Sequence, residues 1–85
     1  MEWTRDTFNQ IPAKEKVRLT FEEGQEIMAR IYLYYTIKLF QLGPLFVEVW
    51  YRPHHNRIDK VEAVVLEEVI HLYEKEIDIS DIFGS

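Results

Sequence analysis

The chain has 85 residues, of which 47% are hydrophobic, carries a formal net charge of −5 and contains no cysteine. This length suits a single small domain over residues 1–85. The lack of cysteine excludes disulfides, thiolate nucleophiles and cysteine-bound metals. Because the chain starts without a secretory signal pattern, the sequence predicts a cytoplasmic protein. Because residues 66–85 hold the whole excess of negative charge, binding to nucleic acid or to anionic lipid is disfavoured.

The first predicted element is a helix over residues 12–23. Pro12 suits the first turn of a helix, where its missing N–H is not needed. Val17 and Phe21 lie on one apolar stripe, and Gly24 is a natural C-terminal stop.

Residues 25–42 allow two interpretations. A helix would start from a capping box at Thr20 and end before Gly43 and Pro44. Strands are indicated by apolar side chains at every second position, namely Ile31, Leu33, Tyr35, Ile37 and Leu39. The sequence favours strands, because β-branched and aromatic side chains lose rotamer freedom on a helix.

The clearest pattern is a β-hairpin. Residues 47–51 alternate between apolar and polar or aromatic types, residues 52–57 form a polar turn, and residues 58–65 are a second β-rich run. Together with the preceding segment this predicts a three- to four-stranded antiparallel meander over residues 25–65.

The apolar stretch over residues 31–50 has about the ~20 residues that a membrane-spanning helix needs. It nevertheless contains Lys38 and Glu48, and a charge near the middle of a bilayer costs about 2.5 kcal/mol or more. Gly43 and Pro44 also interrupt it. The sequence therefore predicts no membrane partner.

The alternation also predicts how the strands pair. Three successive segments have apolar side chains at odd-numbered positions, and an antiparallel meander keeps these on one face only if paired residue numbers sum to an even value. A three-residue loop over residues 42–44 then pairs Leu39 with Val47. In the second hairpin, Glu48 is expected opposite Lys60, because a shift by two would place it against another glutamate.

This register divides the sheet into an inner and an outer face. The inner, odd-numbered face and the helices are expected to form a core from Val17, Phe21, Ile37, Leu39, Val47, Val49, Val61, Val65, Val69 and Tyr73. The outer, even-numbered face is expected to carry a charged ladder and an aromatic patch, formed by Lys38, Glu48, Lys60, Phe40, Phe46 and Trp50. An apolar patch of this kind usually marks an interaction surface.

The last predicted helix covers residues 66–76, with apolar side chains at helical spacing and acidic ones between them. Residues 77–85 form a predicted tail. The fold class is therefore α+β, with an N-terminal helix, an antiparallel meander and a C-terminal helix.

Four segments carry a resemblance to known proteins: Glu23-Gly24 at the end of a helix, residues 35–42 before a turn, residues 46–51, and Ile77-Asp78-Ile79-Ser80-Asp81 near the end. In these segments the chain resembles a group of small bacterial proteins with a helix, an antiparallel meander and a C-terminal Ile-Asp-Ile-Ser segment. The resemblance implies the same order of elements. It carries over no activity, cofactor or catalytic residue.

The weak candidates for metal ligands are His54 and His55 in the hairpin turn. Two imidazoles could bind zinc or nickel if His71 or a carboxylate came close, but adjacent side chains rarely point at one ion. The sequence shows no nucleophile beside a base and no phosphate-binding glycine loop, so no cofactor is predicted and an enzyme is disfavoured.

The function that the sequence favours is a small non-enzymatic module for protein–protein interaction. Its partner would be another protein or a second copy in a homodimer, bound through a sheet edge or through the aromatic outer face. The alternative is a domain that binds a small ligand or a metal, with or without catalysis, at the turn of His54 and His55.

Overall fold

The structure, a computed structural model, describes residues 3–74. It contains helices α1 (Arg5–Gln10), α2 (Ala13–Glu23) and α3 (Leu66–Glu74) and strands β1 (Gln25–Tyr32), β2 (Tyr35–Leu42), β3 (Leu45–Arg52) and β4 (Arg57–Val64). The strands form one antiparallel sheet in the order β1-β2-β3-β4, which confirms the α+β meander and the presence of strands rather than a helix in residues 25–42. The alternating run from Ile31 to Leu39 is not one strand, however, because a turn at Leu33 and Tyr34 interrupts it. No helix within residues 3–74 is both long and apolar enough to span a bilayer. The predicted tail, residues 77–85, lies outside the described residues.

The two N-terminal helices have well-defined ends. Helix α1, which was not predicted, begins at a capping box in which the Thr4 hydroxyl accepts the Thr7 N–H at 3.1 Å and the Thr7 hydroxyl accepts the Thr4 N–H at 3.0 Å. Helix α2 ends at Gly24, where a Cβ atom would lie 2.6 Å from the carbonyl oxygen of Thr20. Only glycine fits this approach without a shift, so the predicted stop has a steric cause.

The turn between β2 and β3 corrects the predicted register. Gly43 and Pro44 form a two-residue turn closed by Leu42 and Leu45, instead of the expected three-residue loop. Gly43 has φ +58°, a conformation that glycine adopts without strain and that fits a tight hairpin turn. Every pair in this hairpin is consequently offset by one residue, and Leu39 pairs with Glu48.

The pairing of β3 with β4 was also predicted wrongly. Glu48 lies opposite Glu62, and Trp50 lies opposite Lys60. The register shifts at Asp59, which is an extra residue in β4. The two glutamates tolerate this arrangement because each has its own cation, Arg30 at 3.3 Å from Glu48 and Lys60 at 3.3 Å from Glu62.

A one-residue offset moves the apolar set of a strand to the other face of the sheet. The expectation of a single inward face was therefore wrong, and both faces are covered by helices. On the helix-pair face, under α1 and α2, the buried residues are Phe8, Leu19, Phe40, Leu42, Leu45, Val47, Val49, Val61 and Ala63. On the α3 face they are Ile37, Leu39 and Tyr73, with Met28, Phe46, Trp50, Val64, Leu66 and Val69 packed around them.

Candidate interaction site

The two edges of the sheet differ in how they are protected. At the β4 edge, the Asn9 side chain of α1 bonds the backbone of Ala63 on both sides: its amide donates to the carbonyl oxygen at 3.2 Å, and its oxygen accepts the N–H at 2.8 Å. The side chain takes the place of a neighbouring strand. This edge is thus closed to strand addition at Ala63.

Strand β1 forms the opposite edge, and within residues 3–74 its only strand neighbour is β2. A bulge at Ile27 interrupts the start of the strand, and Met28 to Tyr32 then pair regularly with β2. Between Ile27 and Tyr34 the only charged residue is Arg30, and its side chain is buried. Apart from Glu26 at its start, which is exposed and lies 3.5 Å from Lys38, the edge therefore lacks the outward charges with which proteins usually prevent strand addition.

The large exposed apolar side chains of the described residues are concentrated at this edge. They are Phe21, Ile27, Ile31, Tyr32, Leu33 and Tyr34, which are between 41% and 71% exposed. All of them lie between the end of α2 and the β1–β2 turn. We call this set the apolar edge. Beside Phe21 the sheet also has a groove of about 350 Å³, lined by Lys38, Val49, Tyr51 and Ile58.

The β1–β2 turn has an unusual residue at its first position. Leu33 has φ +54°, close to the φ of +58° that Gly43 adopts at the same position of the β2–β3 turn. A left-handed backbone costs a residue with a Cβ roughly 1–2 kcal/mol relative to glycine. The Leu33 side chain is 71% exposed, so packing within the described residues does not offset that cost. Strained exposed residues of this kind are typical of functional sites.

The inner side of β1 is held by a buried polar cluster under α3. The Glu48 carboxylate accepts hydrogen bonds from Arg30 at 3.3 Å, from the Tyr73 hydroxyl at 2.8 Å and from the Trp50 indole at 3.3 Å. The Arg30 guanidinium also lies 5.2 Å from the centroid of the Tyr73 ring. The cluster ties an edge strand, a central strand and α3 together, so the apolar edge is presented on a fixed backbone.

Within the cluster, the pKa of the Tyr73 hydroxyl is raised above its usual range. Burial disfavours the charged phenolate, and the neighbouring Glu48 carboxylate adds to this effect. The Tyr73 hydroxyl therefore stays protonated and donates a hydrogen bond to Glu48.

The predicted outer-face residues do not form one surface. Lys38 and Phe40 lie on the helix-pair face, whereas Phe46, Glu48, Trp50 and Lys60 lie on the α3 face. Phe40 is buried and packs edge-to-face on Phe21, with 5.1 Å between ring centroids. Trp50 and Lys60 do stay together, with the Lys60 ammonium 4.4 Å from the indole centroid. Association through Trp50 and Lys60 stays a prediction.

The two histidines of the hairpin turn lie in a short 3-10 helix, Pro53–His55, and both are exposed. Together with Tyr34 and Arg52 they line a cavity of about 220 Å³. Within residues 3–74, no group of three His, Cys, Asp or Glu side chains comes close enough to hold a metal ion.

The sequence interpretation did not identify the apolar edge as a site. The signal was present, because residues 31–34 are apolar or aromatic although they include a turn, where polar residues are usual. Asn9 could not have been found in this way, since its bond to Ala63 joins residues 54 positions apart.

Comparison of the chain with models of known protein families, with curated protein sequences and with solved structures found no significant match.

Proposed function

We propose that this protein is a non-enzymatic interaction module that binds an extended protein segment along β1. The observation that carries the proposal is the difference between the two sheet edges. Asn9 closes the β4 edge at Ala63, while β1 has no strand beyond it within residues 3–74, carries no outward charge after Glu26 and is flanked by the apolar edge.

Strand addition explains why backbone and side chains would act together at this site. The outward N–H and C=O groups of β1, which have no strand partner within residues 3–74, supply main-chain hydrogen bonds to the bound segment. The exposed side chains of Ile31, Leu33 and Tyr34 supply apolar area, at roughly 25 cal/mol for each Å² removed from water. Because the backbone bonds are independent of sequence, these side chains would select the partner.

A photocrosslinking residue tests the proposal on the full chain in cells. Benzoylphenylalanine at Tyr34 replaces one exposed aromatic side chain by another, and the matched control carries it at Gln10, exposed on α1 near the closed edge. We expect discrete protein adducts from position 34, their loss when Ile31→Glu is added, and none from position 10. No adducts at 34, or adducts that survive Ile31→Glu, would contradict the proposal.

The alternative function, ligand or metal binding at the hairpin turn, is supported by the cavity that His54 and His55 line with Tyr34 and Arg52. It predicts that zinc or nickel raises the melting temperature of the wild type and has no effect on the double variant His54→Ala/His55→Ala. An equal response of both proteins would count against it.

A further inference from the structure

We propose that the segment bound along β1 is β1 of a second copy, paired antiparallel about a two-fold axis at Ala29. This inference rests on the proposed function and names the partner. It makes the protein a homodimer with one continuous eight-stranded sheet, in which each edge strand β1 becomes a central strand.

Because Asn9 blocks β4, the chain can associate with a second copy through β1–β1 pairing but not through β1–β4 pairing. Pairing of β1 with β4 of another copy is head-to-tail and would continue into an open-ended assembly. Asn9 occupies the backbone groups of Ala63 that this pairing would need. Pairing of β1 with β1 uses the same edge twice, so it closes at two copies.

The position of the axis follows from the residues of β1. A two-fold axis perpendicular to the sheet keeps each face continuous, so paired residue numbers must sum to an even value. With the axis at Ala29, two small side chains meet at the centre and Met28 lies opposite the partner's Arg30. An axis at Arg30 would instead oppose two arginines, which is unfavourable.

The same register brings the exposed apolar side chains of β1 and its turn against the second copy. Antiparallel pairing about Ala29 brings Ile31 opposite the partner's Ile27, and it brings the turn at Leu33 and Tyr34 to the start of the partner's β1. Phe21, near the end of α2, is half-exposed on the helix-pair face beside Lys38 and Phe40. Ile27 and Ile31 of the two copies thus cover each other, whereas Tyr32 lies opposite the partner's Glu26.

Cysteine crosslinking tests the axis directly, because the chain has no cysteine of its own. Opposite residues of antiparallel strands have Cα atoms about 4.5–5.5 Å apart, which a disulfide spans. We expect Ala29→Cys to form a covalent dimer under mild oxidation. Ile31→Cys is the control for the register, since its two sulfurs would start from Cα atoms roughly 13 Å apart along the strands, and we expect it to crosslink far more slowly.

The mass in solution tests dimerisation itself. We expect sedimentation equilibrium of the wild type to give twice the chain mass at high micromolar concentration, and Ile31→Glu to give a monomer with unchanged circular dichroism. A dimer in which Ile31→Cys crosslinks faster than Ala29→Cys overturns the proposed axis. A wild-type monomer at all concentrations overturns the dimer, while adducts between the Tyr34 probe and a different protein would leave the proposed function standing.

Discussion

Leu33 offers the sharpest test at the scale of a single residue, because its backbone favours glycine or asparagine. We expect Leu33→Asn to raise the free energy of unfolding of the monomer by about 1 kcal/mol, since asparagine tolerates the left-handed region better. The same change removes an exposed apolar contact, so association should weaken. Urea unfolding at low protein concentration measures the first effect, and sedimentation equilibrium measures the second.

The equivalent position of the other two-residue turn supplies the control. Gly43 has nearly the same φ, and a Cβ there would meet no atom within 4 Å. Gly43→Ala should therefore lower stability by about 1 kcal/mol through backbone strain alone, with no effect on association. If Leu33→Asn destabilises the monomer as Gly43→Ala does, then Leu33 is not under strain.

The facing glutamates Glu48 and Glu62 give a second matched pair. Glu48 is buried and bonded to Arg30, so Glu48→Gln leaves a buried cation without its counter-charge and should cost about 3 kcal/mol of unfolding free energy. Glu62 is less buried, and its partner Lys60 is about half exposed. Glu62→Gln should change stability by less than about 0.5 kcal/mol, as measured by urea unfolding. Equal losses in the two variants would contradict the proposed role of the cluster.

At the scale of elements, the type and order of the strands could be predicted from period-two alternation, but the register could not. The difference between a two- and a three-residue turn at Gly43 is one residue, and hydrophobic pattern alone does not distinguish them. That residue decides whether Ile37 and Val47 share a face or lie on opposite faces. The assumption of one buried face favoured the wrong choice, because this sheet is covered on both sides.

At alkaline pH, ionisation of the Tyr73 hydroxyl should weaken the packing of α3 on the sheet and so lower the unfolding free energy. The pKa of this hydroxyl is raised in the folded state, so its contribution to stability is complete below its ordinary pKa of 10.0 and is lost as pH rises above that value. Tyr73→Phe should cost about 2 kcal/mol at neutral pH, the usual worth of a hydrogen bond to a charged group. Its unfolding free energy should then fall less steeply above pH 10.0 than that of the wild type. Parallel pH profiles would show that Tyr73 does not contribute the alkaline dependence.

At the scale of the whole molecule, Asn9 is expected to limit assembly. Asn9→Ala frees the backbone of Ala63 at both ends of the proposed eight-stranded sheet, so β4 of one dimer could pair with β4 of another. We expect species larger than a dimer at high concentration and a loss of about 1 kcal/mol in stability, from light scattering and urea unfolding. Gln10→Ala, on the neighbouring position of α1, is the control and should leave the assembly size unchanged.

The parts of the site differ in how far sequence could predict them. Residues 31–34 lack the polar side chains that are usual in a turn, and this is visible in the sequence alone, so the apolar edge could have been predicted. The closed edge could not, because it depends on where a short helix docks against a strand far along the chain. The prediction of an aromatic outer face was wrong for a third reason: Phe40 and Trp50 share a face only in the predicted register, which the structure does not have.

The bond between Asn9 and Ala63 also bears on the order in which a newly made chain folds. The meander joins neighbouring segments, so its hairpins can form as soon as each emerges from the ribosome. Asn9 is made early but has no acceptor until β4 follows, 54 positions later. Until then each growing sheet ends in an uncapped strand on both sides, and we expect the interval before α1 docks to be the period when nascent chains most readily associate incorrectly.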